Sequence, residues 1–135
     1  MKVQHILSVA SKGFILLSAL SLLSVSVMAF ADPQSVMDLV NVQLGNNDAV
    51  SSIRGVYGGV GLTLFMSLIY LMLRDTRKGL AFLCLLWGFY ALSRTITIFS
   101  EGALGDFGNQ WLITESILFV VAVVLVIASK KNCLH

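Results

Sequence analysis

Residues 110–129 read QWLITESILFVVAVVLVIAS, twenty residues in which Glu115 is the single charge. A helix needs ~20 mostly apolar residues to cross ~30 Å of hydrocarbon. In lipid every backbone polar group must pair internally, which a helix achieves within one segment. A membrane barrel would instead show ~10-residue segments alternating apolar and polar. Phe119 to Ile127 is apolar throughout and does not alternate. The stretch therefore reads as a spanning helix.

Three further stretches have the same character. Residues 13–31 carry no charge, 54–73 carry Arg54 only at the start, and 79–99 hold only Arg94. With 110–129 these make four spans in one membrane domain covering residues 1–135. Composition agrees. Of 135 residues, 57% are hydrophobic and 12% charged, with a mean hydropathy of +0.89. Soluble domains carry roughly 25% charged residues, and a soluble fold this small leaves too much surface facing water to hide such a sequence. A soluble enzyme, a disordered tail and a disulfide-stapled miniprotein are all excluded by these numbers. The expected fold class is an all-α integral membrane four-helix bundle.

The charges predict orientation. Lys2 and Lys12 precede the first span, Arg74, Arg77 and Lys78 fill the turn between the second and third, and Lys130 and Lys131 follow the fourth. The alternate loops hold Asp32, Asp38, Asp48, Glu101 and Asp106, with no Lys or Arg. Basic residues flanking spans stay in the cytoplasm. Both termini are therefore expected in the cytoplasm of a bacterial inner membrane, with residues 32–53 and 100–109 outside. The pI of 8.7 reflects this topology. It forms no extended basic patch, so no nucleic-acid partner is expected. The lipid bilayer is the expected partner, joined by a second copy or another membrane protein.

The first span has two readings. Lys2 and Lys12 make a basic leader, residues 14–28 an apolar core, and Ala29-Phe30-Ala31 an A-x-A pattern, as in a cleaved signal peptide. Equally, the segment is long enough to remain as a helix. After it, Asp32-Pro33 reads as a helix start, with Asp as N-cap and Pro in the first turn. Val36, Leu39, Val40 and Leu44 follow near-helical spacing up to Gly45. This predicts a short amphipathic helix in the first outer loop, packed as a lid or lying on the membrane surface.

Charges inside apolar spans are costly and usually face protein. Arg94 and Glu115 each lie 15 residues from the basic edge of their spans, about 22 Å at 1.5 Å per residue. Opposite charges at one depth on antiparallel neighbours predict a buried ion pair. Arg54 begins the second span at the outer boundary, and Tyr57 lies one turn deeper. The expected polar cluster is therefore Arg54, Tyr57, Arg94 and Glu115. Its plainer role is to lock helix register. The functional role is an anion or proton site, since two arginines against one glutamate leave a formal positive charge.

Gly55 and Gly59 have the G-x-x-x-G spacing that lets helix backbones approach, with Gly58 beside them. Internal packing and dimerisation are both open uses. No phosphate loop is present, because no Gly-Lys-Ser/Thr follows the glycines. His5 and His135, the two histidines, stand at the ends, so no triad or zinc helix is expected. Cys84 and Cys133 read as free thiols, and Cys133-Leu134-His135 supplies too few donors for a metal. No catalytic residue, metal or cofactor is predicted. The expected function is a non-enzymatic structural or partner-binding bundle. The alternative is a small transporter, channel subunit or anion- or proton-binding protein using the Arg/Glu cluster.

These residues resemble an uncharacterised bacterial membrane family, domain of unknown function 4345, over roughly residues 14–129. The resemblance is carried by Pro33 and its short helix, Arg54 with Tyr57-Gly58-Gly59, Arg94, the Gly102-centred turn and Glu115. Members often have glycine before the third-span arginine, where this chain has Ser93. The resemblance implies four helices with the first retained, and it implies no reaction.

Overall fold

A computed structural model describes residues 1–131. Cys133 and His135, weighed above as metal donors, lie outside the described residues. The described residues form helices joined by short turns, without strands. Four helices are long and apolar enough to cross a membrane: Lys2–Ala31, Asn47–Arg74, Thr76–Ser100 and Asp106–Lys131. We name α1 Lys2–Ala31, α2 Pro33–Asp38, α3 Asn47–Ile53, α4 Gly61–Arg74, α5 Thr76–Ser100 and α6 Asp106–Lys131, with a π-helical segment, Arg54–Val60, joining α3 to α4. The chain divides into two compact units. One is Leu16–Tyr70, and the other is Met1–Ile15 with the chain from Leu71 onward.

Along α1, Ser11, Phe14, Ile15, Ser18, Ala19, Ser26 and Ala29 are all buried. Their three- and four-residue spacing marks one helix face, and most are small. Such residues let a neighbouring backbone approach closely within lipid.

In the Leu16–Tyr70 unit, Asp32 caps α2 by accepting the Gln34 N–H at 3.1 Å, with Pro33 at the first position. The helix then stops at Asp38, well short of the Gly45 that apolar spacing predicts. Gln34 explains the stop. Its amide nitrogen donates to Asp38 Oδ1 at 2.6 Å and to the Val42 carbonyl at 2.9 Å, while its oxygen accepts the Leu44 N–H at 2.9 Å. The chain is thus folded back around one side chain, with Asn41 at φ 59°, a left-handed conformation that asparagine tolerates better than most residues. Val36 and Met37 are buried with Ala29, and Leu44 and Ile53 pack against that cluster. Leu39 and Val40, expected on the same stripe, are exposed instead.

The second long helix begins at Asn47, so Arg54 does not open it. Asn46 caps it by accepting the Ala49 N–H at 2.8 Å, and Asp48 sits in the first turn, where the helix dipole favours negative charge. Hydropathy places a span edge where charge ends. The helix edge is set by the cap.

In the second unit, α4 passes to α5 through the single residue Asp75. Its side chain caps α5, accepting the Lys78 N–H at 3.2 Å, and pairs with Lys78 Nζ at 3.4 Å. The backbone bond from Lys78 chiefly holds the Asp75 carboxyl below its ordinary range, with smaller help from the Lys78 charge. A depressed carboxylate stabilises the fold above its unfolded value near 3.8 and loses that contribution as pH falls through the lower, folded value. Asp75→Ala is therefore expected to lower the melting temperature of detergent-solubilised protein at pH 7 and to lower it less near pH 3. Thermal melts at the two pH values test this, and an equal loss at both excludes the charged cap as the cause.

Candidate functional site

Helices α5 and α6 form an antiparallel pair joined by residues 101–105. The turn closes through Glu101 and Gly102, whose N–H groups both donate to the Thr97 carbonyl, at 2.8 and 3.2 Å. Gly102 has φ 115°, which a side chain disfavours. The short connection sets the two helices side by side, so their depths can be matched. Glu115 lies 16 residues before Lys131, about 24 Å from that end of α6. Arg94 lies six residues before Ser100, about 9 Å from the other end of α5.

At that level the two side chains meet. Arg94 Nε donates to Glu115 Oε2 at 2.7 Å, and Nη2 donates to Oε1 at 3.1 Å. Each carboxylate oxygen thus takes one N–H of a planar fork, the strong bidentate form of this pair. Glu115 is 3% exposed, whereas the Arg94 side chain keeps 25% of its surface. The Arg94 Cζ also lies 6.0 Å from the Phe107 ring centre, the outer limit of a cation–π contact. Phe107, Trp111, Glu115 and Phe119 recur every four residues on α6. The first two rings stand 6.2 Å apart and tilted. Deeper in the pair, the Phe119 ring lies over Gly88, where an added Cβ would come within 3.0 Å of it.

Arg54 and Tyr57 belong to the Leu16–Tyr70 unit, both on the π segment. Tyr57 is exposed. Arg54 is half-buried, and its Nε is buried without a hydrogen-bond partner among the described residues. The pairing that the structure supplies is Arg94 with Glu115.

The glycines divide differently from their spacing. A Cβ on Gly55 or Gly59 would meet nothing within 4 Å. The close approaches fall at Gly58 and Gly61. A Cβ on Gly58 would stand 3.2 Å from the Phe30 ring. One on Gly61 would stand 3.2 Å from Ser26 Cβ and 3.6 Å from the Leu22 carbonyl. Ser26 Oγ completes the junction, donating to the Gly58 carbonyl at 2.6 Å.

The family model described as a domain of unknown function, DUF4345, matches residues 10–126. The chain belongs to the DUF4345 family. No curated protein and no solved structure matches it. The DUF4345 match takes in both ion-pair residues, the π segment and α1 from residue 10 onward.

Two features of this DUF4345 chain escaped the residue patterns. The π segment bonds i to i+5, a backbone choice with no side-chain signature, and such segments gather at functional sites. The buried face of α1 did leave a signal, since Ser11, Ser18, Ala19, Ser26 and Ala29 repeat at helical spacing. Among the described residues no group of three or more His, Cys, Asp or Glu is placed to hold a metal. A hollow of about 300 Å³ on the α5–α6 pair is lined by Cys84, Leu85, Gly88, Phe89, Leu92 and Phe119. Its walls offer contact to hydrocarbon.

Proposed function

We propose that this DUF4345 protein is a non-enzymatic protein of the bacterial inner membrane that acts through packing or by binding another membrane protein. In this reading both termini are cytoplasmic, α1 is retained, and Arg94–Glu115 locks α5 to α6. The observation that carries it is the bidentate pair. The one deeply buried carboxylate of α6 has both oxygens taken up by an arginine of the adjacent helix, which leaves it poorly placed to bind or transfer anything else. The orientation is supported by seven of nine basic residues flanking the apolar runs on one side, while the connections on the other side hold no Lys or Arg. Retention of α1 is supported by its buried face, which runs to Ala29, inside the A-x-A pattern itself.

A second reading has one observation in its favour. Arg94 keeps a quarter of its side-chain surface, so a transporter, channel subunit or anion- or proton-binding protein has a partly free guanidinium to use. Exchanging the charges separates the two. Arg94→Glu and Glu115→Arg, made singly, are expected to reduce the folded protein in membranes about tenfold or more. The double exchange is expected to restore both the protein level and complementation of a deletion strain. Restored level without complementation assigns the pair to ligand or proton chemistry. If neither single change alters the level, the lock is wrong.

A further inference from the structure

We infer that the turn Leu39–Val42 is an apolar wedge that rests in the headgroup–acyl boundary of the bilayer, at the end of the spans whose connections, residues 32–46 and 101–105, hold no Lys or Arg. Three observations place it there. First, depth is fixed by packing. Ala29, in the last turn of α1, is buried together with Val36 and Met37 of α2. Ala29 lies two residues before the end of α1, about 3 Å along the axis. The apolar run of α1 ends at Ala31, so α2 is pinned at the level where hydrocarbon gives way to headgroups. It does not stand clear of the membrane on a long tether.

Second, the exposed side chains are apolar and held out. Leu39, Val40 and Val42 are 45–46% exposed. A free loop relieves such exposure by folding its side chains inward. Here the Gln34 bonds to Asp38, Val42 and Leu44 fix the backbone on both sides of the turn. The Val42 N–H also donates back to the Met37 carbonyl at 3.0 Å, and Asn41 takes the left-handed conformation that closes it. The turn is built to present these three residues.

Third, the charge pattern selects the occupant. Residues 39–47 carry no charge, and the connection from 32 to 46 holds Asp32 and Asp38 without any Lys or Arg. An acidic-flanked, uncharged tip gains nothing from anionic headgroups. It gains from moving apolar surface out of water, the term that drives shallow insertion of amphipathic elements. The occupant that this fits is the acyl boundary of a zwitterionic lipid surface. The inference does not depend on the ion pair, so the failure of either leaves the other standing.

The test uses the unaltered chain. With Leu and Val methyls isotopically labelled and the protein in phosphatidylcholine nanodiscs, methyl NMR reads broadening from lipids bearing a nitroxide high on the acyl chain. A parallel sample uses a water-soluble gadolinium chelate. Leu39, Val40 and Val42 methyls are expected to be broadened about twofold or more by the lipid probe relative to the soluble one. Adding phosphatidylglycerol or salt is expected to leave that ratio unchanged. Broadening by the soluble probe with protection from the lipid probe overturns the inference and makes the turn a surface for an external protein. A ratio that rises with anionic lipid also overturns it, since electrostatics would then be holding the tip.

Discussion

Arg94→Ala is expected to destabilise the protein far more than Glu115→Gln, although both break one ion pair. Burial is the reason. Glu115 is 3% exposed, so removing its arginine strands a carboxylate with nowhere to turn. Such losses cost about 3–5 kcal/mol, roughly a hundredfold or more in the folded fraction. Glu115→Gln removes the charge but keeps an oxygen able to accept from Arg94. The guanidinium, a quarter exposed, can also swing along its long stem toward a polar boundary. Replacing both partners with apolar residues of similar size, Arg94→Met with Glu115→Leu, is expected to restore melting temperature to near wild type, because a buried pair roughly breaks even against good apolar packing. Melting of detergent-solubilised variants, followed by size-exclusion chromatography, measures all three. Equal losses for the two single variants contradict the burial argument. Collapse of the apolar double shows that the pair supplies more than mutual satisfaction.

The second large effect is expected from Gly61→Leu. The atoms that a side chain meets there are Ser26 Cβ, the Leu22 carbonyl and Ser26 Cα. Two of the three are backbone of α1 and cannot rotate away, so the α1–α4 approach must open. Overpacking of this kind costs about 1–3 kcal/mol, and the Ser26–Gly58 hydrogen bond at 2.6 Å is broken as the helices part. Gly59→Leu serves as the contrast. Its Cβ meets open space, and replacing helical glycine is favourable by up to about 1 kcal/mol. A variant pair in which Gly61→Leu melts lower and Gly59→Leu does not is the expected outcome. If Gly59→Leu is the damaging change, and the loss tracks dissociation of an oligomer, the G-x-x-x-G face serves a second copy.

Much of this architecture is legible in the residues alone. Uncharged runs of about twenty residues locate the four long helices because lipid tolerates little else. Counting rise from the basic edge puts Arg94 and Glu115 at one depth, and the short connection read at residues 100–109 makes their helices antiparallel neighbours. What escapes such reading has a physical cause in each case. The end of α2 depends on Gln34 reaching eight and ten residues ahead, a long-range bond that apolar periodicity does not encode. The start of α3 depends on a cap at Asn46, ahead of the apolar run. Gly58 and Gly61 carry the close contacts, not Gly55 and Gly59, because spacing identifies which glycines share a face without saying which face has a neighbour.

The π segment has a consequence for anyone drawing a helical wheel through residues 47–74. Seven residues bonded i to i+5 take up one position more than an α-helix needs, and one position is about 100° of rotation. It behaves as a dislocation in an otherwise regular lattice. Angles projected upward from α4 and downward from α3 disagree across it, so Ile53 and Gly61 point where no single wheel would put them. Any homologue that lost one of the six residues that follow Arg54 in this segment would keep an apolar run long enough to span and still aim Arg54 in another direction.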